Sequence, residues 1–473
     1  MMVLLALCLA QLTAALDSTI VEVALPSMRQ ALELSPAALQ WVVNGYTLSF
    51  AGLLLLGGRL ADVVGHKRIF LAGLGLFTLA GLAGGLAPDA SALVLARVVQ
   101  GAGAALLSPA TMSLLTSAYP EPHRRRRALG AWTAAASSGS ALGTVLGGVL
   151  TQWLSWHWVL WVNVPIGVIC FAIAARVCTA PESAGRGLER LDLSGSLTVS
   201  LGLAAVVYAV VGTDTTPWRS ARTVGVLASG ITLLVAFVVI EARSAHPLLP
   251  LSLLRIRAVA CANGQALLLG AGISTMFYFL SLYLQTVRGL SPLSAGAAFL
   301  PGSLGMVAGS TLGTRLFPVV SARRLLAGAG VLAFTGVLWL SRLPVHGSLP
   351  VDVLIPLVLA CTGVGMGFVP VTTASMHGVA PSGLGVATGL LRTSQQAGSA
   401  IGLAALATVA TVTTAHLADA RRQSALVGGY RATLHWTAVL VLVEIGVVLV
   451  MPRLDSPAPL EDDSSQTANS SSA

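Results

Sequence analysis

The chain has 473 residues, of which 55% are hydrophobic and only 10% charged, and its mean hydropathy is +0.83. An average soluble domain carries about 25% charged residues, so a chain this apolar cannot cover its own surface with polar groups, and its solvent is largely lipid. The net charge of +9 does not mark a nucleic-acid binder, because the basic residues, all Arg except Lys67, fall mostly between apolar stretches rather than on one face.

A helix that crosses a bilayer needs about 20 mostly apolar residues. In chain order such stretches run over 2–25, 38–58, 69–87, 90–117, 128–150, 157–178 and 193–212, then 222–241, 258–284, 294–314, 324–341, 352–374, 386–413 and 432–451. That predicts fourteen spans. Ala14-Ala15-Leu16 loosely imitates a signal-peptidase site, but no basic residue precedes Arg29, so the charged leader of a signal peptide is missing and the stretch reads as the first span. So little chain precedes it that a translated start further upstream is expected. The connections are short and rich in Pro, Gly, Arg and Ser, and leave no room for a soluble domain. Residues 456–473 are Ser-rich and acidic and read as a disordered tail. The five cysteines (Cys8, Cys170, Cys178, Cys261, Cys361) lie within or at the ends of apolar stretches with no C-x-x-C pair. They read as free thiols, without a disulfide or a metal site.

The basic residues set the orientation, because cytoplasmic loops hold an excess of Lys and Arg. With the N-terminus inside, the inner loops and tail hold seventeen: Arg59, Lys67, Arg68, Arg124 to Arg127, Arg176, Arg186, Arg190, Arg243, Arg255, Arg257, Arg315, Arg323, Arg324 and Arg453. The outer loops hold eight: Arg29, Arg219, Arg222, Arg288, Arg342, Arg421, Arg422 and Arg431. Both termini are therefore expected in the cytoplasm. A miscount of one span would scramble this asymmetry.

Ionisable groups inside a span cost about 2.5–3.5 kcal/mol on insertion scales and mark function by default. They are Asp17 and Glu22 in span 1, Arg97 in span 4, Arg392 in span 13 and Glu444 in span 14. Asp17 lies nine residues short of the outer end of its span and Arg97 seven residues into its own, depths of about 13 and 10 Å at 1.5 Å per residue. At matched depth the two can neutralise each other, and a change in their pairing can load and unload a proton. A static pair that only fixes helix packing is the plainer reading. Glu22, some 140° round the helix from Asp17, is a second candidate proton site, a ligand for a cationic substrate, or a group at the outer mouth. Glu444 reads as a packing or lipid-edge residue. Gln40, Trp41, Asn44 and Tyr46 in span 2 and Gln100 in span 4 lie at similar depth, and suggest either a substrate chamber lined by Asn44, Tyr46 and Gln100 or a hydrogen-bonded packing cluster.

Several motifs carry a resemblance. Leu16-Asp17-Ser18-Thr19-Ile20-Val21-Glu22-Val23-Ala24-Leu25-Pro26, Gly58-Arg59-Leu60-Ala61-Asp62-Val63-Val64-Gly65-His66-Lys67-Arg68 and Leu95-Ala96-Arg97-Val98-Val99-Gln100-Gly101 come first. Trp156-His157-Trp158 with Asn163-Val164-Pro165-Ile166-Gly167, Glu241-Ala242-Arg243 with Pro247-Leu248-Leu249-Pro250-Leu251, and Tyr283-Leu284-Gln285 with Ser291-Pro292 follow. From span 1 through span 13 the chain resembles the major facilitator superfamily, specifically its fourteen-spanner drug:proton antiporter branch. Glu22 stands where that branch usually has Asn, Val63 and His66 where it has basic residues, and Thr144 where the span-5 motif has Pro.

The resemblance implies an all-α integral membrane protein of the major facilitator fold, two six-helix halves plus two inserted helices. The organisation expected is 1–178, the inserted pair at 179–257, 258–455 and the tail 456–473. Arg315 to Arg324 loosely repeats the loop after span 2, as two related halves require. The resemblance also implies proton coupling through Asp17 and Arg97, with Glu22 beside them, and a gate loop at Gly58, Asp62, Gly65, Lys67 and Arg68. In that loop Gly58 is expected to let two helices approach, Gly65 to permit a tight turn, and Asp62 to meet a helix N-terminus or an Arg. Gly139, Gly143, Gly147 and Gly148 in span 5 form a small-residue ridge similar to the antiporter motif. With the ridge Gly305, Gly309 and Gly313 of span 10, it is expected to form the sliding contact between the halves.

The function this implies is proton-coupled antiport that exports small amphipathic or cationic organic compounds, as in drug or antibiotic efflux. A proton-linked importer shares the carboxylates but fits the span-5 ridge less well. An enzyme would need a catalytic cluster or a soluble module, and the sequence shows neither. The implied partners are a small-molecule substrate, protons and the bilayer, with no nucleic acid and no cofactor beyond the proton gradient. A monomer in the cell membrane of a bacterium, multi-pass, is expected.

Overall fold

The computed structural model describes residues 2–177, 192–211, 220–244, 249, 251–380, 383–417 and 422–452. Arg186, Arg190, Arg219, Arg421, Arg453, Cys178, Pro247, Leu248, Pro250 and the tail 456–473 lie outside them. The helices are α1 (Met2–Ala31), α2 (Pro36–Val64), α3 (His66–Gly85), α4 (Ala90–Ala118), α5 (Pro122–Trp153), α6 (His157–Trp161), α7 (Asn163–Val177) and α8 (Leu193–Val211). Then come α9 (Ala221–Arg243), α10 (Ser252–Arg255), α11 (Arg257–Leu282), α12 (Pro292–Leu316), α13 (Ala322–Leu340), α14 (Ile355–Met376), α15 (Leu384–His416) and α16 (Arg422–Val450). Short π-helical segments, Tyr283–Val287 and Pro350–Leu354, continue α11 and lead into α14.

Thirteen of these elements are long and apolar enough to cross a membrane, counting α6–α7 as one. The 32-residue α5 is the fourteenth span; its first turns carry Arg124 to Arg127, which dilute its hydropathy. The helix starts follow their caps. Ser35, Asp89, Ser220 and Ser291 each accept a hydrogen bond from the backbone N–H three residues on, and Pro36 and Pro292 occupy first-turn positions that need no donor. Gly65 joins α2 to α3 at φ 108°, a left-handed conformation that a side chain would strain. That is the tight turn expected there.

Six spans form each half, and the inserted pair α8–α9 lies against the seam of α2 and α15, where Leu48, Leu203, Val207, Ala400 and Ala404 share one apolar cluster. The cores are unequal at the two ends of the bundle. Where α1 ends, one continuous cluster joins both halves, from Leu16, Val23 and Met28 through Phe279, Tyr283 and Phe299 to Leu403 and Leu434. Where α1 begins, each half keeps its own cluster, Leu7, Phe70 and Leu115 in one and Ala262, Leu326 and Val371 in the other. The halves share one core at the sealed end; at the divided end they keep separate cores and touch where Leu55 of α2 lies beside Gly389 and Leu390 of α15.

The glycine ridges do not slide on each other. Added Cβ atoms at Gly139, Gly143 and Gly147 would meet α1, at Leu12, Thr19 and Ile20 respectively. Those at Gly305, Gly309 and Gly313 would meet α14, at Thr362 and Met366. Each ridge packs its own half, because close backbone approach in lipid is what small residues permit between any neighbours. The halves meet instead at Gly148, which abuts Pro292 and Leu293, and at Gly296, which abuts Thr144. Gln152 Oε1 also accepts from Leu293 N at 3.3 Å. Thr144, in the place of the expected Pro, thus lies on the seam.

A second fastening joins α1 and α11 at the sealed end. Ser281 Oγ donates to the Glu22 carbonyl at 2.7 Å and Gln285 Nε2 donates to the Val23 carbonyl at 2.8 Å. Gln285 lies in the π-helical segment, a distortion common at working sites. Cysteines introduced at Gln152 and Leu293 in an otherwise cysteine-free chain should be joined efficiently by a short bis-maleimide without substrate. A pair at Gly139 and Gly309 should give no cross-linked band on gels.

Candidate functional site

Asp17 is fully buried on α1 and its carboxylate is surrounded by donors. Arg97 Nη1, from α4, donates to Oδ2 at 2.7 Å. Gln100 Nε2, also from α4, donates to Oδ1 at 2.9 Å, and Asn163 Nδ2, from α7, to the same oxygen at 2.7 Å. Arg97 Nη1 also donates to Gln100 Oε1 at 2.7 Å, and its Nε to the Val42 carbonyl of α2 at 3.1 Å. The guanidinium lies 4.5 Å from the centroid of the Tyr46 ring, a cation–π distance. Tyr46 is in turn stacked on Phe50 with ring centroids 6.1 Å apart. The ion pair therefore ties four helices together, α1, α4 and α7 through the carboxylate and α2 through the guanidinium.

The local sequence explains the geometry. Arg97 and Gln100, three apart on α4, share a face. Asn163 opens α7 after the break at Val162, two residues before Pro165, whose missing N–H cannot continue the α6 ladder. The aromatic segment before it pins α6 to the end of α3. The His157 ring Nδ1 lies 2.8 Å from the Gly85 carbonyl and Trp161 Nε1 donates to the Leu82 carbonyl at 3.3 Å, while Trp156 stacks on His157.

Asp17, Arg97, Gln100 and Tyr46 thus come together, but as one cluster with the charge rather than as free lining of a chamber. Gln100 in particular has both ends of its amide engaged. Asn44 is buried and neither its Nδ2 nor its Oδ1 has a hydrogen-bond partner among the described residues; it stands apart from the network. Glu22 is half-buried on another face of α1, joined to the far half only through its backbone carbonyl. Arg392 is exposed and donates to Gln395 Oε1 at 3.3 Å. Asn163 was not singled out by sequence reasoning, although it belongs to a quoted motif; a lone amide in an apolar span beside Pro was the available signal.

In the gate loop the close approach belongs to Gly57 rather than Gly58. A Cβ at Gly57 would strike the Ala105 carbonyl, whereas one at Gly58 would meet only Pro109 at 3.8 Å. Asp62 is exposed and the side chain beside it is the imidazole of His66 at 4.0 Å, not an Arg. Lys67 Nζ donates to the Ala175 carbonyl at 2.8 Å and so caps the end of α7, where a cation is favoured. Arg68 is exposed. Glu444 is buried inside the C-terminal half, not at a lipid edge, and accepts from Gln265 at 3.2 Å. Cys8, Cys170, Cys261 and Cys361 form no disulfide among the described residues, and Cys170 Sγ donates to the Ala6 carbonyl at 3.1 Å.

Fourteen spanning helices in two halves, with a buried ionic network in one and a seam between them, define a membrane transporter. Residues 7–403 match the model of the Major Facilitator Superfamily, and the chain belongs to that family. It is 44% identical to a cephamycin export protein of Amycolatopsis lactamdurans, over 85% of this chain and 83% of that one. It is 39% identical to a puromycin resistance protein of Streptomyces alboniger, over 93% and 88%. Among solved structures, a peptide transporter in complex with sulfate superposes with a TM-score of 0.70 at 16% identity, over 95% of this chain and 94% of that chain, and shares the fold.

Removing one partner of a buried ion pair costs about 3–5 kcal/mol, more than replacing both by neutral groups. Arg97→Leu should therefore lower the melting temperature in detergent well below that of Asp17→Asn/Arg97→Leu. A double-mutant cycle on thermal unfolding measures the coupling.

Proposed function

We propose that this chain is a proton-coupled antiporter that exports small organic compounds, antibiotics among them, by alternating access, with Asp17 as the proton carrier and Arg97 as its counter-charge. The observation that carries the proton step is the carboxylate of Asp17 held by Arg97, Gln100 and Asn163 at 2.7–2.9 Å. An ionised carboxylate only accepts hydrogen bonds, and three donors face it. A proton on Asp17 adds a donor where donors already converge, so the cluster must rearrange. Four helices of the N-terminal half meet in that cluster and move with it. Arg97, released, keeps the Val42 carbonyl and the Tyr46 ring as partners.

The outward direction is supported by relatives named for export of, or resistance to, antibiotics. With both termini in the cytoplasm, the divided end of the bundle faces inward and the sealed end outward. A compound then reaches the space between the halves from the cytoplasm, and release requires parting Ser281 and Gln285 from α1 and Leu293 from α5. The protein works as a multi-pass monomer in the bacterial cell membrane.

Inside-out vesicles energised by an acid interior should accumulate puromycin or a cephamycin, and Asp17→Asn should abolish that accumulation. A variant that transports as well as the wild type removes Asp17 from the mechanism.

A further inference from the structure

The C-terminal half holds a second buried carboxyl that the mechanism above does not use. Glu444, on α16, is 7% exposed and Gln265, on α11, is 3% exposed. Gln265 Nε2 donates to Glu444 Oε1 at 3.2 Å, and Gln265 Oε1 has no hydrogen-bond partner among the described residues. The pair borders a cavity enclosed by α11, α13, α14 and α16, whose other lining includes Leu269, Gly272, Ala329, Gly363, Val441 and Thr437. Glu444 is the one charged group on that lining. α13 contributes only apolar residues there, with Arg323 one turn before the lining residue Leu326, and α14 contributes no charged group. On α15, Arg392 donates to Gln395 Oε1 of its own helix at 3.3 Å and does not line the cavity. No ion pair reaches Glu444 among the described residues.

Chemistry ties these observations together. A carboxylate offers only acceptors, so it satisfies the amide N–H of Gln265 and leaves the buried amide oxygen unmet, which is unfavourable. A carboxylic acid has an O–H as well, and with a primary amide it closes a ring of two reciprocal hydrogen bonds. The unmet Gln265 Oε1 is the acceptor that ring requires. The internal repeat places the pair where such a site is expected. α1 and α11 open their halves, and α7 and α16 close them. In the N-terminal half an acid on the opening helix bonds an amide on the closing one, Asp17 to Asn163. In the C-terminal half the amide is on the opening helix and the acid on the closing one. The N-terminal site has Arg97 as counter-charge, while α14, the helix corresponding to α4, has no basic residue.

We propose that Glu444, paired with Gln265, is a second proton-binding site. Its carboxyl gains a proton as an O–H donated to Gln265 Oε1 and loses it when movement of α11 against α16 separates the pair. This rests on the reading of the chain as a proton-driven exporter. Glu444 lies six residues from the end of α16 and Gln265 eight from the start of α11, about 9 and 12 Å from the divided end of the bundle, while Asp17 is about 22 Å from it. The two acids exchange protons at different depths.

Purified protein in lipid vesicles should show, in infrared difference spectra between acid and alkaline pH, a carboxylic-acid carbonyl band that Glu444→Gln removes and Gln265→Leu shifts, distinct from the band that Asp17→Asn removes. Glu444→Gln keeps the size and the amide pairing of the site, so the fold survives. In inside-out vesicles it should cut proton-gradient-driven puromycin accumulation at least tenfold. A Glu444→Gln spectrum identical to the wild type, or undiminished gradient-driven accumulation, overturns the proposal. If Asp17→Asn retains gradient-driven accumulation, the proton-export reading falls instead, and the Glu444 band is judged separately.

Discussion

The architecture depends on one buried ion pair. Asp17 and Arg97 meet inside an apolar bundle, where an uncompensated charge costs far more than in water. The chain meets that cost by crowding donors and acceptors around the pair. Asp17 accepts from three side chains, and Arg97 has a carboxylate, an amide oxygen, a backbone carbonyl and an aromatic face. These partners come from α1, α2, α4 and α7, so four spans are oriented by one ion pair. A buried salt bridge is weak evidence of stability, because apolar replacements of both partners often serve as well. In the proposed mechanism its value lies in being breakable by a proton.

A proton on one side chain moves a transporter only if packing has two arrangements available. The bundle has one apolar core across both halves at one end and two separate cores at the other. Between them the halves meet along α5 and α12, where glycines abut backbone and Gln152 takes the Leu293 amide, along α2 and α15, and where Ser281 and Gln285 bond the carbonyls of α1. Glu22 and Val23, whose carbonyls take those last bonds, lie on the same helix as Asp17, little more than one turn beyond it. A shift of α1 that follows protonation of Asp17 is therefore felt at the seal. The glycine ridges hold α5 on α1 and α12 on α14 as the halves part.

Much of this was legible in the sequence, for physical reasons. Apolar length gave the spans, and matched depth paired Asp17 with Arg97. What failed was direction around the helix axis. Gly139 and Gly143 lie on one face, but four-residue spacing does not say which neighbour that face meets, and it met α1. Gly57 and Gly58 are adjacent and only one of them touches α4. Gln100 was expected in a chamber and serves the ion pair, because one turn from an Arg is close enough to share its acid. Glu444 looked like an edge residue in a Val- and Leu-rich helix, since its partner Gln265 lies 179 residues away. Asn163 was hidden for the same reason, since α1 and α7 are distant in sequence and adjacent in space.

The claim that Asp17 protonation sets the state of the bundle is tested most directly by distance. Spin labels at His123 and Arg324, both exposed at the divided end of the bundle, report its opening by pulsed electron resonance in lipid vesicles. The account predicts two distance populations whose ratio changes with pH, and an Asp17→Asn protein fixed at the low-pH ratio whatever the pH. An Asp17→Asn protein whose distances still follow pH as the wild type does would contradict it.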